Sequence, residues 1–293
     1  MAPRRPITAK LPWNDKAGRF APLKATTLVL ITLPALWLLY RTLFIGLGPR
    51  PLTEATHRLG DWTIYFLLIT LAVTPARRLF EWSKLIQIRR ILGLTALAYI
   101  LGHFTLFIVD SKWNLLFVGK EIVLRIYLTI GFTAILGLVT LGVTSTDGMI
   151  RRMGGVAWNR VHRLVYVIGG LALTHYYMQA KADVTQPVLM SGFFFWLMGY
   201  RILAKYGPKQ GLAPLAILSA AAALTTAVAE AAWYGFVRPG IGFTRVFAAN
   251  LDFSFQIRPA WWVLMIGLAV TVVAETRRRT GGLRMQARVT SAA

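Results

Sequence analysis

Three of the chain's four histidines lie in strongly apolar segments: His103 in ALAYILGHFTLFIV, and His162 and His175 in NRVHRLVYVIGGLALTHYYM. A neutral imidazole in hydrocarbon needs a polar partner, and imidazole is the commonest metal ligand among side chains. The chain contains no cysteine, which excludes thiolate-ligated iron–sulfur clusters and covalent C-x-x-C-H heme. These histidines therefore predict a non-covalent metal cofactor, and heme iron suits imidazoles on separate helices best.

The elements that carry these histidines are predicted to be membrane-spanning helices. The chain of 293 residues is 56% hydrophobic with a mean hydropathy of +0.56, which leaves too little polar surface for a soluble domain of this size. Runs of about 17 to 25 apolar residues are long enough to cross a hydrocarbon core about 30 Å thick. Eight apolar runs fall roughly at 25–45, 60–75, 91–109, 122–142, 162–178, 187–204, 212–234 and 260–274. The sequence thus predicts an all-α integral membrane protein, a helical bundle.

The basic residues predict the orientation of this bundle. With the N-terminus inside, 23 of the 33 Lys and Arg residues fall in cytoplasmic segments, where positive charge is retained. Both termini are therefore predicted to be cytoplasmic. Arg4 and Arg5 resemble a twin-arginine signal, but no cleavage site follows, so the N-terminus is predicted to be an uncleaved anchor. The net charge of +22 is spread over short segments and indicates contact with anionic lipid rather than nucleic acid.

Helix geometry predicts that His103 and His175 lie at one depth. The third and fifth spans both run outward, and His103 lies fourteen residues beyond Arg89, about 20 Å deeper at 1.5 Å per residue. His175 lies thirteen residues beyond His162, near the cytoplasmic start of its span, and so reaches the same outer level. Two imidazoles at one level predict a six-coordinate b-type heme with His103 and His175 as axial ligands.

His162 has no histidine at its own depth. Arg89 lies on nearly the same face of its helix as His103 and could contact the propionates of a second, cytoplasmic heme, and Arg90 competes for this role. Contact of His162 with lipid headgroups is the alternative. Because a straight helix turns His162 and His175 about 140° apart, Gly169 and Gly170 are expected to provide either a bend for the heme or ordinary close helix packing.

Other features exclude several function classes. The chain has no G-x-G-x-x-G or G-x-x-x-x-G-K-S/T motif, so it is not expected to bind NADPH in a conventional way. Its carboxylates lie at span ends or in loops, with only Glu230 partly immersed, which argues against a transporter. His57, beside Arg58 in the first outer loop, is predicted to be a surface residue.

Four segments of the chain resemble one known family. The runs RRILGLTALAYILGH (89–103), KEIVLRIYLTIG (120–131), TSTDGMIRRMGGVAWNRVHRLVYV (144–167) and THYYMQAK (174–181) resemble the MsrQ (YedZ) family of ferric-reductase-like transmembrane proteins. The resemblance covers about residues 25–206. The sequence departs from the family pattern at Ile126, where relatives tend to have proline, and at Met178, where they tend to have tryptophan.

The resemblance implies a membrane electron-transfer subunit. His103, His162 and His175 are then the histidines associated with b-type heme iron, one heme or two, and Arg89 contributes to the inner site. The resemblance also implies FMN, and electrons drawn from the quinone pool or a cytosolic flavin reductase. They would pass to a periplasmic, molybdenum-cofactor methionine sulfoxide reductase that repairs oxidised proteins. The expected location is the bacterial inner membrane.

The predicted organisation has four segments: a cytoplasmic N-terminal segment, 1–24; the six-span heme-binding core, 25–206; two additional spans with an outer loop, 207–276; and a basic cytoplasmic tail, 277–293. The aromatic loop GFTRVFAANLDFSF (242–255) either docks a partner or lines the membrane interface. The alternative function is a stand-alone ferric or cupric metalloreductase. That function needs carboxylates outside to hold a cation, whereas the outer loops are net basic.

Overall fold

The computed structural model describes residues 11–15, 17–180, 183–207, 211–237, 241–254 and 256–290, the last ten of these by backbone alone. Several basic residues used to predict the orientation lie outside the described residues or side chains: Arg4, Arg5, Lys10, Lys16, Lys181, Lys209, Arg238, Arg284 and Arg288.

The described residues form eleven α-helices in chain order. They are α1 Pro22–Tyr40, α2 Pro51–Leu79, α3 Ile86–Asp110, α4 Leu115–Leu124, α5 Ile126–Val143, α6 Asp147–His162, α7 Leu164–Gln179, α8 Thr185–Tyr206, α9 Leu212–Ala232, α10 Phe243–Ala248 and α11 Pro259–Thr290. A π-helical turn extends α1 to Ile45, and another extends α9 to Val237.

Seven helical segments are long and apolar enough to cross a membrane: Pro22–Ile45, Pro51–Leu79, Ser83–Asp110, Ile126–Val143, Thr185–Tyr206, Leu212–Val237 and Pro259–Thr280. They match seven of the eight predicted spans and confirm an all-α integral membrane protein. The remaining predicted span is α7, a helix of 16 residues that is about 24 Å long. Helix α7 begins at Leu164, two residues after the predicted start of this span. Arg163 separates it from α6, although its φ of −69° and ψ of −20° lie in the helical region.

The chain divides into two compact units: Met1–Val73 with Lys84–Val118, and Thr74–Ser83 with Gly119–Ala293. The first unit contains α1, most of α2 and α3. In it, the Tyr99 hydroxyl of α3 donates to the Ile31 carbonyl at 2.7 Å and accepts from the Ala35 N–H at 3.1 Å. These two groups flank Pro34, which lacks an N–H and disturbs the helix around it. Tyr99 therefore completes the hydrogen bonding of α1 at its proline.

The second unit contains α5 to α11. Small residues let its helices approach closely: a Cβ added at Gly137 of α5 would lie 2.7 Å from Ile168 of α7, and one at Gly169 of α7 would lie 2.8 Å from Phe194 of α8. The C-terminal helices pack in the same way, since a Cβ on Gly267 of α11 would lie 2.5 Å from the Ser219 hydroxyl of α9. Helices α8, α9 and α11 pack against one another within this unit.

Candidate heme site

The first unit holds His103 through a backbone carbonyl. The His103 Nδ1–H donates to the Thr56 carbonyl of α2 at 2.8 Å, and the ring is half-buried. Gly60 lies one helical turn after Thr56, and a Cβ there would come within 3.1 Å of His103 Nδ1. The imidazole can therefore approach the α2 backbone because residue 60 has no side chain.

The second unit holds His175 in the same manner. The His175 Nδ1–H donates to the Tyr127 carbonyl of α5 at 2.7 Å. Gly131 again lies four residues after the acceptor, and a Cβ there would come within 2.7 Å of Nδ1. The His175 ring lies closer to Gly131 than the His103 ring does to Gly60, so a side chain at residue 131 would displace its imidazole more than one at residue 60.

These two hydrogen bonds determine the tautomer of each ring. A carbonyl oxygen only accepts, so Nδ1 carries the proton and Nε2 is the unprotonated nitrogen in the neutral ring. Histidines that ligate a metal usually donate their other ring N–H to a carbonyl or carboxylate, which fixes the ring and raises its basicity. Both rings therefore have the hydrogen bonding of an axial ligand.

An exposed arginine, Arg125, lies close to the residues that hold His175. Arg125, which precedes α5, pairs with Glu121 at 2.6 Å and donates from Nη1 to the Tyr127 hydroxyl at 3.2 Å. The hydrogen bond to Tyr127 and the charge of Glu121 raise the pKa of the Arg125 guanidinium. A permanent positive charge thus lies beside the residue whose carbonyl holds His175.

His162 has a different environment from the other two histidines. Its Nδ1 lies 3.1 Å from the Trp158 carbonyl of its own helix, and its Nε2 lies 3.2 Å from the Ser145 hydroxyl. The ring stacks on Trp158 with centroids 3.8 Å apart and an interplanar angle of 25°. Since protein groups contact both ring nitrogens, iron ligation by His162 would require the Ser145 contact to be replaced.

The structure distinguishes the two candidate arginines and supports the prediction for His57. Arg89 is half-buried near the start of α3, whereas Arg90 is exposed, so Arg89 is the better placed to enter a site. His57 is exposed, as expected of a surface residue, but it lies within helix α2 and not in the predicted loop.

Gly169 and Gly170 do not bend α7, which is a regular helix from Leu164 to Gln179. Gly169 serves close packing against Phe194, the second of the two predicted roles. The helical break lies elsewhere, at Gly154 within α6, where φ is +73° and ψ is 157°. A positive φ is accessible to glycine at little cost, which explains why the break falls there.

Across the part of the chain that the structure describes, no group of three or more His, Asp or Glu side chains could hold a metal ion. Axial ligation of heme needs only one or two imidazoles, because the porphyrin supplies the remaining ligands. The two imidazoles, each oriented by a backbone carbonyl, are compatible with that requirement.

Comparison with known proteins identifies a family and several relatives of this chain. A family model described as "Ferric reductase like transmembrane component" matches residues 59–173. A protein of Herminiimonas arsenicoxydans is 44% identical over 55% of this chain and 75% of its own length. One of Rhodospirillum rubrum is 39% identical over 69% of this chain and 95% of its own length. Both are named "Protein-methionine-sulfoxide reductase heme-binding subunit MsrQ".

The chain belongs to the MsrQ family. A member from Caulobacter vibrioides is 39% identical over 58% of this chain and 81% of its own length. No solved structure matches this chain. The family match covers His103 and His162 and ends two residues before His175.

Four residues that hold the two imidazoles in place are absent from the sequence prediction: Thr56, Gly60, Tyr127 and Gly131. The two acceptors act through backbone carbonyls, which every residue has, so side-chain type gives no signal for them. The two glycines are recognisable only when the helix opposite each histidine is known. Trp158 could have been found, since it lies four residues before His162 on the same helix face.

Proposed function

We propose that this protein is a heme-binding membrane subunit that transfers electrons in a methionine sulfoxide reductase system. One observation carries the proposal: His103 and His175 each donate Nδ1–H to a helix carbonyl. Each ring can reach that carbonyl because the residue four positions later is glycine. The names of the relatives, which describe heme-binding subunits of such a reductase, support it.

Each residue has a defined role in this proposal. His103 and His175 offer Nε2 as axial ligands of b-type heme, and the Thr56 and Tyr127 carbonyls orient the two rings. That one heme takes both rings follows from their equal predicted depth. When bound, heme would supply a one-electron carrier within the bilayer. His162 and the half-buried Arg89 belong to the inner level, where a second heme or the entry of electrons is proposed.

The finer proposal concerns the donor and the acceptor. Electrons are drawn from the quinone pool or from a cytosolic flavin reductase, with FMN as an additional cofactor that the resemblance implies. They pass to a periplasmic reductase that contains a molybdenum cofactor and repairs oxidised methionine. The family membership supports this chain of partners.

The decisive experiment uses purified full-length protein. Its optical spectrum and heme content should show non-covalent, low-spin, bis-imidazole b-type heme. The chemically reduced protein should then be reoxidised by the exported reductase only when methionine sulfoxide is also present. A folded preparation without heme would contradict the proposal. Reoxidation by ferric citrate or cupric ions alone would favour the stand-alone metalloreductase.

The proposed location is the bacterial inner membrane with both termini cytoplasmic, as expected from the 23 basic residues assigned to the inner side. A reporter fused after Ala293 should be active when it requires the cytoplasm and inactive when it requires the periplasm. A second fusion after Trp113, between α3 and α4, provides the matched control and should show the opposite pattern. A C-terminal fusion active only in the periplasm would contradict this topology.

Replacing His162 by alanine is expected to leave the spectrum of the His103–His175 heme unchanged. It should instead slow heme reduction from the cytoplasmic side, because His162 is about 20 Å along the helix from His175. Stopped-flow absorbance with a cytosolic flavin reductase as donor measures this rate. Ser145→Ala, which removes the hydroxyl beside Nε2 but keeps the ring, is the control for a purely local packing effect.

A further inference from the structure

An apolar groove lies between α9, α10 and the beginning of α11 in the second unit. Its volume is about 200 Å³. Ala223 and Ala227 of α9 are buried residues of its lining, and Phe247 of α10 and Trp261 of α11 line it with aromatic rings. Small residues thus leave space against α9, and two rings border that space.

The polar atoms around this groove are not presented to a ligand. Asn250 is its polar lining residue, but Oδ1 is buried and Nδ2 lies 3.4 Å from the carbonyls of Val246 and Phe247. The Asn250 carbonyl accepts from Trp261 Nε1 at 2.6 Å. A polar ligand group would gain no hydrogen bond from these atoms and would lose those that it makes elsewhere. The groove therefore suits hydrocarbon.

Helix α10 runs alongside α9 from the end of that span to the groove. A Cβ added at Gly235, in the π-helical turn that ends the span, would lie 2.9 Å from Phe243 Cβ at the beginning of α10. One turn later, Phe247 lines the groove together with Ala227. Ala227 precedes the end of the span at Val237 by ten residues, about 15 Å. The groove therefore lies within the hydrocarbon depth of one leaflet, which is half of about 30 Å.

A positive charge lies between the groove and the end of the span. Arg245 is on α10 between Phe243 and Phe247, and its side chain is exposed. Among the described residues, the ion pairs do not include Arg245, whereas the Arg258 guanidinium is paired with Glu230. A guanidinium binds phosphate oxygens in a bidentate manner, and basic side chains at the membrane interface bind lipid head groups.

We propose that this groove and Arg245 bind one phospholipid, with its phosphate on Arg245 and part of one acyl chain between Phe247 and Trp261. A cavity of about 150 Å³ accommodates the six carbons of benzene, so about 200 Å³ accommodates about eight carbons of a chain. Surrounding lipid is as apolar as the groove, so packing against the two rings and the charge pair must select this lipid. The site lies beyond the family match at 59–173 and does not depend on the proposed function.

The test uses full-length protein in vesicles of phosphatidylethanolamine and phosphatidylglycerol. A small fraction of the phosphatidylglycerol carries a photoreactive diazirine on one acyl chain. Illumination should label peptides that contain Phe247 or residues 260–264, which line the groove. Arg245→Gln should lower this labelling about threefold or more, as expected for loss of an exposed charge pair. Ala227→Leu fills the groove and should lower it about fivefold or more.

Two matched variants control for nonspecific effects. Ala221→Leu adds the same side chain at an exposed position of α9 outside the groove lining. Arg50→Gln removes an exposed arginine of the first unit. Both should label within about twofold of the wild type, since neither changes the groove or its charge.

Arg245→Gln keeps the proposal testable if Ala227→Leu fails to fold, because the Arg245 side chain is exposed. Unlabelled phosphatidylglycerol should displace the probe, whereas inorganic phosphate and a free fatty acid should displace it far less well. Equal labelling of the wild type, Arg245→Gln and Ala227→Leu would show only bulk lipid around the helices and would overturn the proposal. Equal displacement by the fatty acid would also overturn it. Labelling that falls as the protein-to-lipid ratio rises would overturn it in favour of a second copy of this chain in the groove.

Discussion

Alanine in place of His103 or His175 is expected to remove most of the b-type heme from the purified protein. Each ring is a proposed axial ligand, and each is oriented by a backbone carbonyl. Because removal of either ligand breaks a six-coordinate site, the double variant should retain about as little heme as each single variant. Heme content per protein and the low-spin absorbance bands measure the effect.

The exposed histidine provides the control for these variants. His57→Ala removes an imidazole from the surface of α2 and should retain full heme content. Circular dichroism and size-exclusion chromatography should show that all four variants remain folded. If His162→Ala abolished the same absorbance as His175→Ala and left no second heme species, the proposed pairing would be wrong. A pairing that includes His162 would then replace it.

Gly131→Ala is expected to weaken heme binding although residue 131 has no side chain to offer the iron. The added Cβ would lie 2.7 Å from His175 Nδ1, a separation that real Cβ atoms essentially never show, so the imidazole must move. Its displacement lengthens or breaks the hydrogen bond to the Tyr127 carbonyl. Loss of such a supporting bond typically costs about 10- to 100-fold in affinity for the metal centre. Heme titration of the apoprotein measures the change.

Two other glycines provide graded comparisons. Gly60→Ala places its Cβ 3.1 Å from His103 Nδ1, so the ring must shift only slightly and the loss of affinity should be smaller. Gly119→Ala, in α4, meets nothing within 4 Å and should leave heme affinity unchanged. An equal response of Gly131→Ala and Gly119→Ala would show that the approach of His175 to α5 is not required for heme binding.

The hydrophobic pattern predicted the helices because a bilayer imposes both a minimum length and an apolar surface on every span. It predicted their ends less well. The second span was expected at 60–75, whereas α2 runs from Pro51 to Leu79 and includes Glu54, Arg58 and Arg77. Hydropathy detects the part of a helix that suits hydrocarbon, but a helix continues into the interface wherever its backbone hydrogen bonds can.

The junction after His162 shows another limit of the pattern. The apolar run 162–178 predicted one span that begins at His162, whereas the structure ends α6 at His162 and starts α7 at Leu164. The backbone at Arg163 stays in the helical region, and the break lies earlier, at Gly154, where hydropathy gives no signal for it. Of the two roles expected of Gly169 and Gly170, a bend or close packing, the structure shows close packing at Gly169, which lies against Phe194 within a regular helix.

The sequence by itself determined the membrane class, the family and the choice of His103, His162 and His175 as candidates, because these depend on residue type and spacing along the chain. The tertiary structure alone decided what holds each ring: a carbonyl of α2 for His103, a carbonyl of α5 for His175, and Trp158 with Ser145 for His162. It also decided that Glu230, expected to be only partly immersed, is buried and paired with Arg258 from the loop before α11. Such contacts join residues as many as 48 positions apart, and backbone acceptors leave no trace in residue type.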